Sequence, residues 1–105
     1  MRALIIVAIA LGASVAQADT PPDGKALYKE KCIMCHDKTG MGTGLLSRRM
    51  KVAELLQRSD LNADAIVAAV RAGIGNMPPL PRGEVSDRDL EAIADFLAQP
   101  AEARK

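Results

Sequence analysis

The sequence predicts an all-α domain of about four short helices. Three observations point there. Apolar residues recur at helical spacing in several segments, and most of these follow a residue suited to capping a helix N-terminus. No segment alternates apolar and polar residues as a half-buried strand does. Between the helices lie long stretches rich in glycine and proline, which interrupt regular structure.

The first helix is expected from residue 23 or 24 to residue 35. Pro21 and Pro22 precede it, Asp23 is its N-cap, and Gly24, Leu27, Tyr28 and Lys31 share one face. A short helix is expected over 51–58. A third spans Ala63–Ala72, with Asn62 as cap, Leu61 and Ile66 as a hydrophobic staple, and Gly73 as stop. The last begins after Ser86. Val85 and Leu90 form its staple, Asp87 and Asp89 suit the positive first turn, and Leu90, Ile93, Ala94 and Leu97 make the buried stripe until Pro100 ends it. Residues 37–44 and 73–83 read as loops, and 101–105 as a frayed tail.

Residues 1–18 read as an export signal rather than part of the fold. Arg2 supplies the positive start, residues 3–11 are a short apolar run, and Ala16-Gln17-Ala18 is the small-x-small pattern cut after Ala18. A retained N-terminal anchor is the alternative. Cleavage leaves one domain, 19–105, with a periplasmic address and no stable membrane insertion. Arg2 is the only charge in the leader, so the balance of 14 basic and 13 acidic residues becomes even. That argues against nucleic acid or an anionic membrane as partner.

A domain this small struggles to build a core. With no Trp, one Tyr (Tyr28) and one Phe (Phe96), it has little aromatic bulk of its own. A large apolar prosthetic group fills that deficit, and gives the long loops something to wrap around.

Cys32-Ile33-Met34-Cys35-His36 is a C-x-x-C-H segment, the signature of covalent haem attachment. Two cysteines three apart on a helical turn face the same side, where their sulfurs can form thioethers with one porphyrin. His36 then falls beneath the iron as proximal ligand. The alternatives are weaker. A redox C-x-x-C normally follows a strand in a βαβ unit, which is absent from this pattern. Zinc needs four ligands, and two Cys with the lone His make three. A structural disulfide at this spacing within a helix has poor geometry.

For the sixth iron position, the single histidine rules out a second imidazole, leaving methionine as the common partner. Met34 lies inside the attachment segment and Met41 is too close in sequence to cross the ring. Met77, in Gly73-Ile74-Gly75-Asn76-Met77-Pro78-Pro79-Leu80, can return on the opposite face. Met50 and an open site are the alternatives.

These residues resemble the class I cytochrome c family over nearly the whole of 19–105. Gly24 and Tyr28 are similar to its glycine and aromatic on the first helix; Cys32, Cys35 and His36 match its attachment motif; Met77-Pro78-Pro79 is similar to its distal methionine loop; and Phe96 resembles the aromatic that packs across the first helix at Gly24. The resemblance implies a small fold of about four helices around one covalent haem c, acting as a one-electron carrier rather than an enzyme. The implied partners are redox proteins, a dehydrogenase donor and an oxidase or other cytochrome acceptor. One departure stands out. Where the family often has Gly-Pro, with the proline carbonyl accepting the histidine N–H, this chain reads Thr43-Gly44-Leu45-Leu46; a carbonyl near Gly44 or Leu45 is the expected substitute.

Lys25, Lys29, Lys31 and Lys38 flank the attachment segment, and Arg48, Arg49 and Lys51 form a second basic group. A solvated surface is the favoured reading; a positive rim that docks an acidic partner is the sharper one. The leading functional expectation is a periplasmic electron carrier with His36/Met77 ligation, as a monomer or as part of a complex. The alternatives are a haem subunit of a larger dehydrogenase or oxidase, an enzyme with an open iron site, and a thiol-disulfide oxidoreductase.

Overall fold

Asp23 opens the first helix as expected. Its Oδ1 accepts from the backbone N–H groups of Lys25 (3.0 Å) and Ala26 (3.2 Å), satisfying two donors at the start of α1 (Gly24–Lys31). This computed structural model describes Gly12 and residues 20–105. Apart from Gly12, the expected leader lies outside the described residues.

The first helix does not continue to residue 35. Cys32, at φ −116°, ends α1, and a separate one-turn helix α2 (Ile33–His36) follows. The Cys32 carbonyl accepts from both Cys35 (3.2 Å) and His36 (3.0 Å), so the chain turns sharply while its backbone groups stay paired. The turn lets α2 pack against α3 (Met41–Leu46). That helix lies where a loop over 37–44 is expected from three glycines. Here glycine serves close packing: a Cβ on Gly42 would stand 2.8 Å from the Cys35 carbonyl oxygen.

Within 51–58 only a 3-10 turn forms, at Leu55–Gln57. Glu54 precedes it and makes no side-chain cap, so nothing in the sequence extends the turn into an α-helix. By contrast α4 (Ala63–Ala72) has the expected bounds, with Asn62 Oδ1 accepting from the Ala65 N–H at 3.1 Å and Gly73 at φ 75° ending it. The last helix, α5 (Asp87–Ala98), is capped by Ser86 Oγ, which accepts from the Asp89 N–H at 3.1 Å.

Helix α5 is the centre of the packing, touching both α1 and α4. Its expected stripe is buried, as are Tyr28, Val70 and Val85 against it. The α1–α5 crossing is tight at Gly24, where a Cβ would lie 2.1 Å from the Ala92 carbonyl oxygen. One turn on, the Tyr28 and Phe96 rings meet with centroids 6.0 Å apart at an interplanar angle of 52°. The pairing expected across Gly24 is therefore present.

The tail is not frayed. Residues Ala101–Arg104 form a second 3-10 turn, and Arg104 is only 6% exposed. Its guanidinium donates to the carbonyls of Leu97, Leu55, Leu56 and Arg58, joining the chain end to α5 and to the 3-10 turn Leu55–Gln57.

Candidate haem site

Helices α2 and α3 and the loop after α4 enclose a cavity of about 400 Å³. Cys35 and His36 reach it from α2, Leu45 and Leu46 from α3, and Met77 from the loop on the far side of the sequence. Three of the four residues singled out from the sequence thus come together. The fourth, Cys32, sits at the α1–α2 junction and packs against the core cluster.

The loop reaches the cavity through glycine geometry and anchored ends. Gly73 and Gly75 hold φ 75° and 57°. Between them and Met77 the backbone closes on itself, Ile74 N–H to Met77 O at 3.1 Å and Met77 N–H to Ile74 O at 2.9 Å. A Cβ on Gly73 would meet the Met77 carbonyl oxygen at 2.8 Å and Pro79 Cδ at 2.9 Å. Beyond the prolines, Leu80 N–H donates to Val70 O at 2.8 Å, while Arg71 donates to Leu80 O (3.0 Å) and to Asp87 Oδ1 (2.8 Å). The methionine loop is therefore tied to both α4 and α5.

Burial pushes the His36 imidazole below its usual pKa, which favours the neutral ring that a metal ligand must be. Its Nδ1 is buried and has no hydrogen-bond partner. The carbonyl expected near Gly44 or Leu45 does not serve it. Formation of α3 redirects those oxygens: Gly44 O accepts from Ser47 Oγ at 2.7 Å and Leu45 O from the Arg48 N–H at 3.3 Å. The Cys32 thiol is pushed up to about 11, first by burial and then by Cys35, the reverse of what a nucleophilic thiolate requires.

The other methionines separate clearly. Met34 is 88% exposed and lines no part of the cavity, whereas Met41 lies at its rim, 71% exposed. Met50 does line the cavity, but its sulfur accepts from Arg58 Nη1 at 3.5 Å, and Arg58 is held by a two-pronged pair to Asp60 with both contacts at 2.8 Å. Arg48 and Arg49, expected as a solvated basic group or a positive rim, both line the cavity, as does Asn76, for which the sequence offered no role. The signal available for the arginines was their position just after the glycine-rich segment.

An apolar cavity flanked by C-x-x-C-H and faced by a methionine loop belongs to the c-type cytochromes, whose prosthetic group is covalent haem c. Within that class the chain belongs to the family described as cytochrome c oxidase, cbb3-type, subunit III, whose model matches residues 19–97. It is similar to cytochrome c6 of Synechocystis sp., 34% identical over 79 residues that cover 75% of this chain and 64% of that protein. It is also similar to cytochrome c6 of Microcystis aeruginosa, 30% identical over 80 residues, 76% of this chain and 96% of the relative. A polyvinylalcohol dehydrogenase of Pseudomonas sp. matches at 32% identity over 98 residues, 92% of this chain but 13% of that protein. No solved structure shows a significant match. The family and the two cytochrome c6 relatives place the chain among haem-bearing electron-transfer proteins.

Proposed function

We propose that the chain is an exported, periplasmic one-electron carrier in which Cys32 and Cys35 hold the haem through thioethers and His36 and Met77 ligate its iron. The observation that carries this reading is the meeting of His36 and Met77 on one apolar cavity, although they lie 41 residues apart in sequence. The donor set fits an iron porphyrin. An imidazole and a thioether on one apolar cavity are two axial donors, and a porphyrin brings its own four nitrogens to the iron.

When bound, haem supplies a single iron that changes by one electron between ferric and ferrous. The chain does the rest. Cys32 and Cys35 fix the ring's position, and buried, neutral His36 offers a lone pair. Met77 favours the reduced state and so raises the potential. Leu45 and Leu46 exclude water from the same wall. The leader over 1–18 supports the periplasmic address, and among the described residues no helix is long and apolar enough to cross a membrane. Arg48 and Arg49 at the cavity support a basic rim that meets an acidic redox partner.

A second reading, a haem domain working within a larger oxidase or dehydrogenase, is favoured by the family's description and by the small share of the Pseudomonas dehydrogenase that the chain matches. Size-exclusion of native extract separates the two: a carrier elutes near its own mass and a subunit with its complex. The electron-carrier reading itself predicts that protein made with haem-attachment machinery is coloured, keeps its haem under denaturing conditions, and titrates as one reversible one-electron couple. Well-folded colourless protein contradicts it.

A further inference from the structure

The cavity between α2, α3 and the methionine loop has a one-sided charge. Its wall includes two cations, Arg48 and Arg49, and no acidic residue. His36 joins that wall as a ring that burial keeps neutral, and Asn76 adds a neutral amide. We infer that Arg49 receives a carboxylate of the haem beside the methionine loop. This inference rests on the electron-carrier reading, because it assigns a partner to the cofactor which that reading requires.

Haem is an apolar ring with two carboxylates. A carboxylate brought to an apolar cavity is costly unless a cation or a hydrogen-bond donor meets it. Among the lining residues only the two arginines carry a charge to meet it; Lys38 and Lys51, near them in sequence, do not line the cavity. Neither arginine takes part in an ion pair among the described residues. Their forks of N–H groups are therefore uncommitted, and a guanidinium fork matches a carboxylate edge to edge.

Position favours Arg49 over Arg48. Its backbone N–H donates to Leu46 O at 2.9 Å, and the next N–H, of Met50, donates to the same oxygen at 3.0 Å. The chain thus leaves α3 in a fixed direction. Across the cavity, Gly75 at φ 57° brings the methionine loop towards it, and a Cβ on Gly75 would stand 3.9 Å from Arg49 Nη1. The guanidinium therefore spans from the end of α3 to the loop that carries Met77. A cation held there favours the ferrous state, whose net charge is one unit less positive, and so raises the potential. Arg49 acts on the iron through the cofactor's carboxylate and is a positioning residue.

The test uses holoprotein carrying the covalent haem. Wild type, Arg49→Gln, Arg49→Lys and Arg48→Gln are titrated with redox mediators at low and at high ionic strength. At a fixed ambient potential, Arg49→Gln is expected to raise the ferric-to-ferrous ratio about fivefold, and to keep most of that change in high salt, because a contact pair is screened less than a solvated charge. Arg48→Gln is expected to change the ratio less than about twofold, and only at low salt. Arg49→Lys, which keeps the charge without the fork, is expected to recover about half of the loss. In reduced protein labelled with nitrogen-15, the Arg49 Nε–H is expected as a resolved signal that exchanges slowly with water. Colourless wild-type protein would be a failure of the carrier reading itself. In coloured protein that keeps its near-infrared methionine band, equal potentials for wild type and Arg49→Gln overturn the proposal. So does a shift that high salt abolishes, or an Arg49 Nε–H that exchanges as fast as that of a solvated arginine.

Discussion

Met77 owes its position to a residue four places earlier. Gly73 adopts φ 75°, a region costly to residues with a Cβ, and it sits against the Met77 carbonyl and Pro79. Gly73→Ala is therefore expected to lose about 1–3 kcal/mol of stability and to weaken the proposed methionine ligation. Denaturant unfolding and carbon monoxide binding to the ferrous protein are the readouts; wild-type stability together with no added carbon monoxide binding would count against it. His36 illustrates the opposite case, a residue singled out by its motif and found at the cavity, whose supporting hydrogen bond was not legible. A carbonyl near Gly44 or Leu45 was expected to serve its Nδ1 because any residue offers one, and a helix there spends those carbonyls locally.

Among the elements, α4 was legible to the residue and α5 at its start, because each begins with a side-chain cap; Gly73 stops α4, and Pro100 lies just beyond the end of α5. Helix α3 was not. Gly42 and Gly44 lower its intrinsic propensity by about 1 kcal/mol each, and only contact with α2 makes it favourable, which a local pattern does not display. The C-terminal turn escaped for a related reason: a lone charged residue near a chain end reads as solvent-exposed until the carbonyls it serves come together in space. Arg104→Met should cost about 2–3 kcal/mol, by removing charge-assisted hydrogen bonds and leaving carbonyls of the 3-10 turn Leu55–Gln57 unpaired. A denaturant midpoint at the wild-type value would disprove that role.

The join between the methionine loop and α5 should respond to acid. Arg82, and then Arg71, hold the Asp87 carboxyl below its ordinary range. A depressed folded pKa means that the contribution is complete above the unfolded aspartate value of about 3.9 and is lost as pH falls through the folded value. Stability should therefore decline as pH drops from 5 towards 3, and Asp87→Asn should flatten that decline. Urea midpoints across this interval provide the check, and identical slopes in the two proteins would remove Asp87 from the account.

For the whole molecule, the buried core contains one fully buried aromatic side chain, Tyr28, and a cavity of about 400 Å³. Such a shell depends on its prosthetic group for tight packing. The double variant Cys32→Ala/Cys35→Ala is expected to retain helical far-ultraviolet dichroism while losing cooperative thermal unfolding, as expanded states with loose packing do. A sharp transition at the wild-type temperature would show that the helices need no haem. Composition alone points to this dependence, since the chain has no Trp, one Tyr and one Phe.

The central claim, that His36 and Met77 face one iron across that cavity, is tested most directly by the near-infrared spectrum of the oxidised protein, where methionine ligation gives a weak band. The band should be present in wild type and in Met50→Ala, and absent in Met77→Ala. A band that survives loss of Met77 and disappears with loss of Met50 would contradict the account.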